Sequence, residues 1–234
     1  MTADAILTFL NKITEGRKPG TKRVRYAHLS AFFNFIKNNL ASDLVNPCDS
    51  PMLRKLFRAT TPPYWDFIEK ETIDEIIFRT TMIRNRLILE LMARGGMRIG
   101  EVLKLTPEDI SDRKLILRDP KSGRKNEIVF IPKRVAERLK EYARSACKNA
   151  DDLLFPISYE AARVIVAKAG RLVNIKLRPH DIRRHAATFA SRSGVPIEVV
   201  SKVILRHSNL STTQLYLGRV SETEAMSWID KLYR

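Results

Sequence analysis

The chain has 234 residues, with 42 Lys and Arg against 26 Asp and Glu, a net charge of +16 and 44% hydrophobic residues. A real core is possible, and the surplus of positive charge points to a polyanionic partner, nucleic acid ahead of an anionic membrane. No apolar run reaches the length of a membrane span, the first residues include Asp4, Lys12 and Glu15, and the only cysteines, Cys48 and Cys147, lie far apart; a membrane span, a signal peptide and a cysteine-based zinc framework are excluded, and a reducing, cytoplasmic setting is expected.

In chain order, "ADAILTFLNKI" puts Ile6, Leu7, Phe9, Leu10 and Ile13 near helical spacing, and "KRVRYAHLSAFFNFIKNNL" predicts a second helix with Thr21 as its N-cap. Lys22, Arg23 and Arg25 cluster at the start of that helix, either as a solvated face or as an edge facing DNA phosphates. The breaker clusters "NPCDSP" and "TTPPYW" flank a short "MLRKLF" helix and put a domain boundary near residues 58 to 65, giving domains 1–60 and 61–234. The second domain opens with the helix "DFIEKETIDEIIFRT". Next comes "TMIRNRLILELMARGG", apolar enough to be a buried helix ended by Gly95 and Gly96. "RKLILRD" and "NEIVFIP" are the two convincing strands, joined by the turn "PKSGRK". The rest reads as helices: one from Pro132, then "SYEAARVIVAKAGRLV", "DIRRHAATFASRSG", "PIEVVSKVIL", "TTQLYLG" and "ETEAMSWIDKLYR". The expected fold is mostly α with one small antiparallel β-sheet, an α+β architecture.

Three groups of residues carry chemistry. In "GGMRIGEVLKL", Arg98 opens a helix although its charge opposes the helix dipole, and Glu101 three residues on is placed to fix its guanidinium. Taken alone, that is a surface ion pair worth little. In "RPHDIRRHAATFAS", His180 and Arg183 share one helix face, Arg184 follows, and His185 is a packed or surface histidine. In "LRHSNLSTTQLYLG", Tyr216 lies nine residues after His207, with the "STT" hydroxyls expected to cap its helix. His180, His185 and His207 lack acidic or Cys partners at metal-ligand spacing, and Arg183 and Arg184 would repel a cation, so no metal is expected. Guanidiniums grip phosphate oxygens, a cationic pocket favours phenolate, and a phenolate can attack a phosphodiester. The turn supplies Lys121 or Lys125 to protonate the leaving oxygen.

As a set, Arg98 in "GMRIGEVL", a lysine in the β-turn, "HDIR", "LRHSNLSTTQ" and Tyr216 resemble the catalytic constellation of the tyrosine recombinase (phage integrase) family over residues 65–234. The resemblance implies a helical, SAM-like core-binding domain, shortened here, ahead of a catalytic domain. It implies that Arg98 and Arg183 clamp the scissile phosphate, Glu101 supports Arg98, His180 acts as general base, and Lys121, with Lys125 second, protonates the 5′ oxygen. His207 would donate to a non-bridging oxygen and Tyr216 would form a 3′-phosphotyrosyl link. No metal, ATP or other cofactor is implied. The partners implied are double-stranded recombination sites, a homotetramer on DNA from chains that are monomers or weak oligomers when free, and accessory DNA-bending proteins. The setting implied is nucleoid-associated.

Ala225, Met226, Trp228, Ile229 and Leu232 suit either a helix exchanged between copies or packing within the chain. Arg206 departs from the family, which carries Gly before the motif histidine; it either adds a phosphate contact or changes the turn. DNA contacts are expected from Lys22, Arg23, Arg25, Arg184 and Arg206. The alternatives are a type IB topoisomerase-like relaxation activity and a DNA-binding regulator that has lost catalysis.

Overall fold

In the computed structural model, residues 2–57, 67–118, 127–217 and 222–232 are described. The chain divides into two compact units, Met1–Pro63 and Tyr64–Arg234. In the first unit, α1 (Ala3–Ile13) starts where the Thr2 hydroxyl accepts from the Ala5 N–H, and buries Ile6 and Leu10. α2 (Pro19–Asn39) begins two residues before Thr21, with Pro19 at its first position; Thr21 is therefore inside the helix and is not its cap. Asn46 holds the following turn through Ser30 O, Asn34 Oδ1 and the Cys48 N–H. Leu53 and Phe57, in and just after α3 (Pro51–Leu56), then close on Ile6, Leu10 and Cys48.

The second unit is built around α5 (Ile83–Gly95), whose Leu87, Ile88, Leu91 and Met92 have no exposed surface. α4 (Lys70–Arg79) covers one side, with Ile73, Ile76 and Ile77 turned inward. α5 stops at Gly96, which takes φ +60°; a Cβ there would lie 2.7 Å from Ile204 Cγ2 and from Ile204 O, so only glycine lets the two segments approach this closely. α6 (Ile99–Val102) follows. The sheet has three strands in the order β1 (Ile110–Ser111), β2 (Lys114–Leu117), β3 (Glu127–Phe130), all antiparallel, one short strand more than expected. Leu115 pairs with Val129 on the buried face, the period-two alternation of a half-buried sheet.

α7 (Lys133–Ala146) and α8 (Tyr159–Arg171), the latter capped by the Ser158 hydroxyl, complete this core. α9 (Pro179–Arg192) packs on α5, its Ile182 joining the same buried cluster, while its Ala187 and Ala190 pack with Val200 and Leu205. The segment expected as one helix after Pro196 is α10 (Ile197–Val199) running into a π-helical turn, Val200–Ile204. α11 (Leu210–Leu217) and α12 (Glu222–Leu232) end the described chain, and α11 also packs against α9. Among the described residues no helix is long and apolar enough to cross a membrane. The cluster "TTPPYW" and the turn bearing Lys121 and Lys125 lie outside the described residues.

Candidate active site

Four segments deliver the charged and aromatic side chains to one cavity of about 850 Å³, lined by Arg98, Glu101, Lys104, Tyr159, His180, Arg183, Arg206, His207, Thr212 and Tyr216 among others. Arg98 enters from the start of α6, where Glu101 holds it twice: Glu101 Oε2 accepts from the Arg98 N–H at 2.8 Å and Oε1 from its guanidinium at 2.6 Å. A cation at the first turn opposes the dipole, and Glu101 in the same turn offsets that cost. Burial by itself would raise the Glu101 carboxyl; Arg206, then the Arg98 backbone and side chain, then Arg183 outweigh it and hold it below the usual carboxylate range.

α9 contributes His180 and Arg183 from one face. Arg183 is 2% exposed and donates to the carbonyls of Gly96 and Leu205, which ties α9 to the ends of α5 and of the π-helical turn. Burial and the neighbouring Arg98 and Arg206 push its guanidinium down to about 10, which leaves it charged at neutral pH. Desolvation of the His180 ring, helped by Arg184 and Arg183, lowers its pKa.

His207 is buried, and its Nδ1 lies 3.0 Å from Thr213 Oγ1, which is 2.8 Å from Ser201 Oγ. Burial, with Arg183, Arg98, Arg206 and His180 facing it, drives His207 down to about 4, so the ring is neutral at pH 7. Tyr216 sits between the two histidines, its ring centroid 5.0 Å from each in edge-to-face geometry, with the Arg184 guanidinium carbon 5.9 Å from its centroid. Its backbone is anchored by Thr188 Oγ1, which donates to Tyr216 O at 3.0 Å.

Arg98, Glu101, His180, Arg183, His207 and Tyr216 are thus brought together. The "STT" hydroxyls do not cap α11. Asn209 accepts from the Ser211 N–H instead, while Thr213 is fully buried one turn in and holds His207. Arg184 and Arg206 do not stand outward as the phosphate contacts expected of them. Arg184 is 9% exposed and pairs with Asp181, and Arg206 is 4% exposed and turned inward onto Glu101. In the first unit Lys22 donates to Asn11 Oδ1, and Arg23 and Arg25 are exposed. His185 is a packed histidine: its Nδ1 meets Ile68 O at 2.7 Å and its ring stacks with Phe67 and Phe189.

Sequence reasoning passed over Lys104 and Tyr159, which line the cavity; the helical offset of Lys104 from Glu101 is the signal that would have found it. A neighbouring hollow of about 1000 Å³ shares Tyr159 and His180 with the cavity and is rimmed by Arg163, Arg171, Lys176 and Arg178. Among the described residues no group of His, Cys, Asp and Glu could hold a metal ion.

The family model described as "Phage integrase family" matches residues 66–222, which contain this whole cavity. The chain belongs to the phage integrase family of tyrosine recombinases. It is 32% identical over 216 residues to a tyrosine recombinase of Pseudothermotoga lettingae, an alignment that covers 89% of this chain and 73% of that protein. It is also 32% identical over 145 residues to the tyrosine recombinase XerA of Thermococcus kodakarensis; there the match spans 58% of this chain and about half, 51%, of the relative. Its fold is that of a XerA recombinase crystal structure (TM-score 0.63, 20% identity, all of this chain and 83% of that one). It is also that of XerH site-specific recombinase bound to palindromic difH substrate (TM-score 0.77, 18% identity, all of this chain and 71% of that one).

Proposed function

We propose that this phage integrase family member breaks and rejoins double-stranded DNA at specific sites through a covalent tyrosine intermediate. The observation that carries the mechanism is the convergence of Arg98, His180, Arg183, His207 and Tyr216 on one cavity. Neutral His180 accepts the Tyr216 hydroxyl proton. The phenolate oxygen bonds to phosphorus, the bond from phosphorus to the 5′ oxygen breaks, and Lys121, or Lys125, protonates that oxygen. Arg98 and Arg183 neutralise the equatorial oxygens of the transition state, and His207, its Nδ1 3.0 Å from Thr213 Oγ1, is the further donor to a non-bridging oxygen once the phosphate's negative charge favours its protonated form. A 5′ hydroxyl from a second strand then attacks the 3′-phosphotyrosyl link and restores Tyr216. Each phosphodiester lost is replaced by another, so the sequence consumes neither ATP nor a metal-bound water.

The DNA partner is supported by the net charge of +16 and by the basic hollow beside the site, with Arg163, Arg171, Lys176 and Arg178 at its rim. The first unit serves as a second DNA-holding domain, through Arg23 and Arg25. Met226 and Ile229 of α12, 61% and 56% exposed, suit a helix shared between copies in a tetramer assembled on DNA, in the cytoplasm at the nucleoid.

The test is a suicide-substrate assay. The protein is incubated in EDTA with nicked or phosphorothiolate-bearing DNA from a library of sites, and products are resolved on a denaturing gel. A covalent adduct from the parent, absent from Tyr216→Phe with DNA binding retained, is the expected result. Cleavage that survives Tyr216→Phe would remove Tyr216 as the nucleophile; tight binding without any adduct would point to a regulator.

A further inference from the structure

Strand alternation puts Glu127 on the inward face of β3 beside Val129, while Ile128 and Phe130 face outward. A carboxylate facing a core needs a cation, because burying it unpaired is prohibitive. On the opposite wall Arg206 adopts φ +53°. Among the described residues the other non-glycine positions in that region are Asp112 and Asn174, side chains that tolerate it, and arginine is not one of these. A favourable use of the side chain must therefore hold the backbone there. The guanidinium is 3% exposed: Nη2 donates to Glu101 Oε2 at 2.7 Å, Nη1 donates to Ile204 O at 2.8 Å, and Nε lies 3.6 Å from Glu127 Oε2. Glu101 in turn grips Arg98. One side chain thus hydrogen-bonds α6 and the end of the π-helical turn and lies within ion-pair range of β3 at the cavity wall.

We propose that Arg206 is a positioning residue of the active site, matched to the inward Glu127. It neutralises that carboxylate and pins Glu101, so that Arg98 and Arg183 face the phosphate, and it makes no phosphate contact itself. The inference rests on the cleavage chemistry proposed above.

Arg206→Gly frees the backbone and removes the charge, and Arg206→Asn tolerates the backbone and removes the charge; both are expected to act alike. Single-turnover cleavage at saturating DNA should slow by about 100-fold, as for a misplaced catalytic group, while the Kd for DNA changes by less than about threefold. Adding Glu127→Gln to Arg206→Gly should recover at least about tenfold of the rate and raise the thermal midpoint above that of the single variant. Parental cleavage in Arg206→Gly would overturn the proposal. So would a weakened Kd with an unchanged rate, which is the signature of a phosphate contact. Loss of rate without recovery by Glu127→Gln would overturn the pairing. The thermal comparison needs no cleavage: it tests the pairing even if Tyr216 proves not to be the nucleophile, and failure of Tyr216→Phe to abolish the adduct would indict the chemistry and leave Arg206 to be judged by its midpoint.

Discussion

Glu101→Gln is the sharpest single perturbation of this site. The parent carboxylate is 7% exposed and faces Arg98 at 2.6 Å, Arg206 at 2.7 Å and Arg183 at 4.0 Å. Breaking a buried ion pair by removing one partner costs about 3–5 kcal/mol, because the other charge is left uncompensated. Two features reduce that figure. Arg206 keeps Glu127 at 3.6 Å and the Ile204 carbonyl, and Arg98 is 31% exposed, so its share is that of a partly solvated pair. The net expectation is a loss of about 2–4 kcal/mol, which for a domain of this size lowers the thermal midpoint by about 5–15 °C.

The assay is differential scanning calorimetry of parent and variant from pH 7 downward. Glu101 titrates below its ordinary range in the folded chain, so its stabilisation is present above the unfolded carboxylate pKa and is lost as pH falls through the folded one. The gap between parent and variant should therefore hold from pH 7 to about pH 4.5 and shrink below it. A gap under about 2 °C at pH 7, or one that widens on acidification, would refute this account of the hub.

The lowered pKa of His180 places the acid limb of single-turnover cleavage below about pH 6.5, where protonation removes the base; a limb above that value would show that another group accepts the proton. Thr213→Val deletes the partners of His207 and Ser201, and should cost about 1–3 kcal/mol in urea unfolding and slow cleavage about tenfold, whereas Thr213→Ser should restore most of both. Gly96→Ala meets a left-handed φ and a Cβ 2.7 Å from Ile204. It should lower the unfolding free energy measured in urea by more than the roughly 1 kcal/mol of a left-handed alanine alone, and a stability equal to the parent's would contradict the close approach described.

What was legible in the sequence came from short-range rules. The heavy apolar load of "RLILELM" marks a buried helix without any neighbour being known, and the Gly-Gly after it marks where that helix stops. The order of Arg98, "HDIR", His207 and Tyr216 points to the family, because residue types at set spacings suffice for that. Roles that depend on direction were not legible. Thr213 and its neighbours look like caps in one dimension, yet the helix begins at Leu210, a turn before Thr213, and one hydroxyl becomes the support of His207. Arg184 and Arg206 look like DNA contacts by charge alone, but helix phase sends one toward Asp181 and a left-handed backbone sends the other toward Glu101. Glu127 carries no signal beyond being an acidic residue at the edge of a strand; its meaning comes from the register that turns it inward. Local propensity and residue order determined the helices, the paired strands and the family. Only the packing of α9, the π-helical turn and β3 against the end of α5 decided which cations face the cavity and which hold it together, because burial and pairing are properties of three-dimensional neighbours that no spacing along the chain encodes.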